Sequence, residues 1–142
     1  VTDAGLVLKK LARIETCIRE LRTLARPEAL GTDVRELRFV EHTLQIAIQA
    51  CQDAASHIVS DDRLGEPRTN QELMDLLVSS GWLGADLGAR LRRAVGFRNV
   101  LVHGYDAVDV AIVRDVLAHG VDDLEAFVAA IRGSLPGDVI EP

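Results

Sequence analysis

The feature that most limits what this chain can become is the spacing of its apolar residues. Val7, Leu11, Ile14, Ile18, Leu21 and Ala25 step by four, three, four, three and four. That spacing lines one side of about five turns of α-helix, whereas a half-buried strand would alternate. Pro27 and Gly31 end the stretch. Asp33 and Glu36 then have the spacing of a capping box, in which each side chain bonds the other's backbone amide. They open a second long helix whose apolar positions run from Leu37 through Val40, Leu44, Ile48, Cys51 and Ala55 to Ile58. Phe39 and Ile46 fall off that stripe, so this helix is covered on more than one side. A dimer interface and a crowded monomer core account for that equally well.

Residues 60–68, with Gly65 and Pro67, read as a connection. Thr69 and Glu72 predict a second capping box and a short helix through Leu73, Leu76 and Leu77. Trp82 and Leu83, between Gly81 and Gly84, predict a buried turn. The next helix carries Leu87, Leu91 and Val95, with an interruption or bend expected at Gly96 and a second break at Gly104. The last apolar series is Val110, Val113, Leu117, Val121, Leu124, Val128 and Ile131, with a kink expected at His119-Gly120. Four or five such helices and no strand pattern imply an all-α antiparallel bundle. The 142 residues suit one domain, residues 1–135, followed by a short tail at 136–142.

Composition excludes several classes. Hydrophobic residues at 48% and charged ones at 27% are globular proportions, not those of a disordered chain. Sixteen basic against twenty-two acidic residues leave a net charge of −6, which excludes a nucleic-acid binder that works by bulk positive charge. No apolar run approaches the ~20 residues that span a bilayer, and no N-terminal stretch reads as a signal peptide. Cys17 and Cys51 are too few for a disulfide framework and lack metal-ligand spacing. The expectation is a cytoplasmic protein with reduced thiols packed in its core, needing no metal or cofactor.

One segment departs from this pattern. Arg98, Asn99, His103 and Tyr105 surround the apolar triplet Val100-Leu101-Val102. On a regular helix Asn99 and His103, four apart, share a face. Arg98 and His103, five apart, lie about 140° around the axis. Their convergence therefore requires a local distortion, a long reach by Arg98 or a second subunit. Arg90, Arg92 and Arg93 lie just upstream, and residues 88–105 hold four arginines and no acidic residue. An anionic ligand would meet its most favourable field here, and arginine presents a fork of donors matched to phosphate oxygens.

The string GFRNVLVHGY resembles the Arg-x4-His motif, followed by x-Tyr, of the HepT-like proteins in the HEPN superfamily. The stretches QACQDAASHIVS, RLGEPRTNQELMDLLVSSGWL and VDVAIVRDVL share that family's order and spacing, so the resemblance covers residues 5–132. It implies a dimerising all-α bundle with two motif copies at one cleft. It also implies a metal-independent endoribonuclease acting as a toxin on cellular RNA, tRNA among the targets. The implied partner is a minimal nucleotidyltransferase antitoxin that attaches AMP at Tyr105. In that chemistry the ribose 2′-hydroxyl attacks its own phosphate. His103 serves as base or acid, histidine titrating near ~6.5. Arg98 stabilises charge on the phosphoryl oxygens, and Asn99 holds the imidazole or a phosphate oxygen. Tyr105, Arg90, Arg92 and Arg93 hold RNA.

Other readings of the same residues stand beside these. The motif could be a buried polar network with Arg98 paired to Asp106. It could also belong to a non-catalytic RNA- or nucleotide-binding subunit, one that presents substrate to a nucleotidyltransferase, or to a purely protein-binding bundle. Gln45, Gln49, Asp53 and His57 repeat every four residues. They form either a solvated face or a cleft wall on which Asp53 orients His103 or Arg98. His42 and His119 have no partner pattern and read as surface residues. Trp82 reads as a core plug.

Overall fold

The computed structural model describes residues 2–103 and 109–136, with backbone only at Val102 and His103. Every regular element among them is helical. In chain order these are α1 (Ala4–Leu24), a 3-10 turn (Pro27–Ala29), α2 (Val34–Asp61), α3 (Asn70–Ser79), α4 (Ala85–His103), α5 (Val110–Asp115), a π turn (Val116–Gly120) and α6 (Val121–Ser134). The all-α bundle expected from the apolar spacing is the fold. The tail beyond residue 136 lies outside the described residues.

The helix starts follow from their caps. Asp3 accepts from the Leu6 amide at the start of α1, and Asp109 from the Ala111 amide at the start of α5. Thr69 Oγ1 accepts from the Glu72 amide, while Glu72 reaches one residue further back to the Arg68 amide. The pair at α2 differs from the expected box. Asp33 accepts from the Arg35 amide, and Glu36, buried, accepts instead from the Arg26 amide at 2.7 Å. A donor at the end of α1 has displaced the reciprocal local bond, so Glu36 ties two helices together.

α1 and α2 form an antiparallel hairpin closed at both ends. Thr2 and the Asp3 amide donate to Asp62 and Asp61 at one end, and the Arg26–Glu36 bond closes the other. Between them the predicted stripe of α1 meets Val40, Leu44, Ala47, Cys51, Ala54 and Ile58, all buried. α6 lies antiparallel to α1, with Arg132 on Glu15 and Arg22 on both Asp122 and Glu125. α4 completes the bundle on the far side of α6, and α3 covers the flank of α4 and α2. α2 thus packs against α1, α3, α4 and α6, and Phe39 and Ile46 are partly buried against the core. At His119-Gly120 the helix is irregular, and a π turn, Val116–Gly120, joins α5 to α6.

Candidate nucleic-acid site on helix four

The site stands on α4, which is gripped from three directions. Leu91 and Val95 are buried toward α2. One residue before Leu91, Arg90 Nε donates to Asp123 of α6 at 2.7 Å; one residue after it, Arg92 bonds Asp75 of α3. Where α3 crosses α4, a Cβ at Gly88 would lie 2.2 Å from Val78 Cγ2, so only glycine permits this approach.

Gly96 does not interrupt the helix, since α4 runs from Ala85 to His103. Gly96 serves packing instead. Gln71 Nε2 donates to the Arg92 carbonyl at 3.0 Å, and a Cβ at Gly96 would lie 3.0 Å from that same nitrogen. Gln71, unnoticed in the sequence, clamps α4 one turn ahead of Arg98. The second expected break, Gly104, lies outside the described residues.

Beyond this clamp α4 extends past the N-terminus of α3. Arg98 is half-buried on the stripe of Leu91 and Val95, and its Nε is buried with no hydrogen-bond partner. Asn99 and Val100 are exposed, while Leu101 packs against the core. His103 is the last residue of α4; Tyr105 and Asp106 lie outside the described residues. Since the helix is regular here, positions 98 and 103 stand about 140° apart. The local distortion that would have brought them together on one chain is absent from the described part of α4.

The local positive field is smaller than the sequence suggests. Arg90 and Arg92 are each neutralised by a carboxylate from another helix, leaving Arg93 and Arg98 without an ion pair among the described residues. Arg90 and Arg93 line a cleft of about 560 Å³ against the π turn, but Asp115, Asp122 and Asp123 share its walls with His119. Asp53 lies on the α1 side of α2, accepting from Lys10 Nζ at 3.3 Å and Gln49 Nε2 at 3.0 Å. With Gln45 and Gln49 it lines a shallow groove beside Arg13. His42 and His119 are exposed, as expected, and Trp82 is half-buried against the core.

Ionisable groups displaced from their ordinary values lie elsewhere among the described residues. Hydrogen bonds from Arg132 and Arg22 hold the Glu15 and Glu125 carboxyls below the usual range. Burial pushes the free thiols of Cys17 and Cys51 up. No three His, Cys, Asp or Glu side chains come together as a metal site among the described residues.

A further residue stands out on α2. Glu41 sits four after Leu37 and seven before Ile48, at a register position where an apolar residue is expected. Its carboxylate atom Oε1 is buried without a hydrogen bond. An acidic residue inside an apolar stripe was the available signal.

Residues 14–131 match the family described as Ribonuclease HepT-like. The mRNA nuclease HepT of Shewanella oneidensis is 29% identical over 128 residues, which cover 89% of this chain and 96% of that one. The tRNA nuclease HepT of Aphanizomenon flos-aquae is 26% identical over 128 residues, covering 90% and 86%. The solved structure of a tri-AMPylated Shewanella oneidensis HEPN toxin in complex with MNT antitoxin superposes with a TM-score of 0.84 at 28% identity, covering 94% of this chain and 100% of that one.

Proposed function

The chain belongs to the ribonuclease HepT-like family, and from that premise we propose that it is the toxin of a toxin–antitoxin pair and a metal-independent endoribonuclease. Its substrate is cellular RNA, and tRNA is the first to test. The observation that carries this reading is the Arg98-Asn99 pair near the end of α4, five and four residues ahead of His103, that helix's last residue.

The chemistry needs no group that the chain lacks. RNA brings its own nucleophile, and an imidazole at position 103 takes the 2′-hydroxyl proton or returns one to the leaving 5′-oxygen. The phosphoryl oxygens gain negative charge as the fifth bond forms, and the Arg98 guanidinium meets that charge. Asn99, exposed beside it, binds a phosphate oxygen or holds the imidazole tautomer. Products end in a 2′,3′-cyclic phosphate and a 5′-hydroxyl. Arg93 adds a phosphate contact. Arg90 and Arg92 contribute only when RNA competes with Asp123 and Asp75.

The regularity of α4 favours a homodimer. With positions 98 and 103 about 140° apart on a straight helix, one chain's guanidinium and another's imidazole converge more readily than two groups of one chain. A minimal nucleotidyltransferase antitoxin adds AMP at Tyr105, and the added bulk and charge block the groove.

Purified protein whose intact mass shows no AMP should cut RNA in EDTA. His103→Ala should abolish cutting and keep the helical circular-dichroism spectrum. Equal cutting by that variant removes the catalytic assignment. Co-expression with a minimal nucleotidyltransferase encoded beside it should add multiples of AMP mass at Tyr105; modification elsewhere removes that assignment.

A further inference from the structure

The cleft between α4 and the π turn, of about 560 Å³, has the volume of a pocket for a small ligand. Most of its charged groups are engaged. Arg90 Nε donates to Asp123 at 2.7 Å, and Arg22 of α1 donates to Asp122 at 2.7 Å. Two groups of opposite sign are left. Arg93 makes no hydrogen bond or ion pair among the described residues. Asp115 has only the His119 imidazole, 3.7 Å away, which is too long for a hydrogen bond.

Arg93 and Asp115 thus line one cleft without pairing with each other. Opposite charges facing a common space suit a ligand that is anionic at one end and carries N–H donors at the other. A nucleotide has that polarity, with its phosphate at one end and its base edge at the other. The cleft also lies within reach of the site on α4. Position 93 stands ten residues ahead of position 103, hence about 15 Å along the axis and about 80° around it. A few nucleotides of single-stranded RNA bridge that span.

The carboxylate decides which base fits. Ionised Asp115 is acceptor-only, with two oxygens side by side. Among the four RNA bases only guanine presents two adjacent N–H donors on its Watson–Crick edge, N1–H and N2–H. Adenine and cytosine set a ring-nitrogen lone pair beside the amino group, and uracil sets one N–H between two carbonyls. Each of those three turns a lone pair toward the second carboxylate oxygen. The exposed His119 imidazole offers a flat face on which an unstacked base can rest. It stands in a π turn, an irregularity frequent at functional sites.

We propose that this cleft is a guanine-reading subsite for the RNA substrate: Arg93 holds the phosphate of one nucleotide, and Asp115 accepts from N1–H and N2–H of its base. The choice of RNA rests on the ribonuclease reading above, while the base recognition is measurable by binding alone.

Randomised single-stranded oligoribonucleotides, cut by AMP-free wild type and sequenced at the new ends, test this. Guanine should be preferred about ten-fold over any other base at one fixed offset from the cut, as expected for one bidentate base contact. Asp115→Asn offers one donor and one acceptor, and should reduce that preference to about two-fold or less. Inosine in place of that guanine lacks only the N2 amino group. It should slow wild type about five-fold or more and leave the rate of Asp115→Asn unchanged. No preferred base at any offset, preference for another base, or a guanine preference that survives Asp115→Asn overturns the proposal. Should wild type leave RNA intact, the ribonuclease reading falls and fluorescence anisotropy decides the subsite, with labelled oligoadenylate carrying one central guanine or inosine. Tighter binding of guanine, lost in Asp115→Asn, supports the subsite; equal binding overturns it. Guanosine 5′-monophosphate bound in an Asp115-dependent way, while RNA binding ignores guanine, assigns the cleft to a free nucleotide and overturns the RNA subsite.

Discussion

A single methyl group at Gly88 tests the α3–α4 contact on which the site stands. Gly88→Ala inside a helix gains about 1 kcal/mol, because alanine gives up less backbone entropy than glycine. Against this, the new Cβ would lie 2.2 Å from Val78 Cγ2 and 3.7 Å from Val78 Cβ, where carbon atoms prefer about 3.5–4.0 Å. The methyl of Val78 must retreat by more than an ångström. A valine in a helix has essentially one χ1 rotamer, so the strain passes to the helix spacing, and overpacking of this kind costs about 1–3 kcal/mol. The variant should therefore lose about 1 kcal/mol net. Gly96→Ala has the same propensity gain but meets only the mobile amide of Gln71 at 3.0 Å. It forfeits one hydrogen bond, about 1 kcal/mol, and should match wild type within about 0.5 kcal/mol. Equilibrium urea unfolding reads both, with the midpoint falling for Gly88→Ala at constant m-value. In a Val78→Ala background the sign should reverse and Gly88→Ala become stabilising. A Gly88→Ala protein as stable as wild type, or more so, would refute the steric reasoning.

Two further outcomes concern charge and burial. The Glu15 carboxyl is held below its ordinary value of 4.5 chiefly by the hydrogen bond from Arg132. Its stabilisation is therefore present above about pH 4.5 and lost as pH falls through the lowered value. The pair is substantially exposed, so Glu15→Gln should cost less than about 1 kcal/mol at pH 7. Thermal melts should show that difference shrink as pH falls below about 4.5, and a gap that stays constant on acidification would contradict the assignment. Cys17 and Cys51 are buried, free and shifted upward by desolvation. An aromatic disulfide reagent at pH 8 should titrate both thiols in urea and neither in the native protein over minutes; rapid native labelling would contradict their burial.

Much of the helical layout was legible because helix signals are local. The three-and-four spacing of Val7, Leu11, Ile14 and Ile18 needs only the geometry of one helix, and all four are buried. Thr69 announced α3 for the same reason. What misled were residues with more than one local meaning. Gly96 has the composition of a break, yet it lies in an unbroken helix because Gln71 fills the space that its absent side chain leaves. Glu36 had the spacing to cap its own helix but found the Arg26 amide ten residues back. His119-Gly120 suggested a bend, and the structure carries a π turn there, between α5 and α6.

The candidate site divides along the same line. The order of residues alone determined that Arg98, Asn99 and His103 share one helix, and that Arg98 and His103 stand on different sides of it, since angle follows from count. Charge was another matter. Four arginines without a nearby acid in sequence implied a basic patch, yet Asp123 and Asp75 reach Arg90 and Arg92 from 33 and 17 residues away. Only the packing of α4 between α6 and α3 decided which guanidinium groups stay unpaired, and only the rotation of α2 against α1 put Asp53 on Lys10. Helical periodicity is a property of a few consecutive residues. Ion pairing between helices depends on register and rotation, which the whole core sets at once.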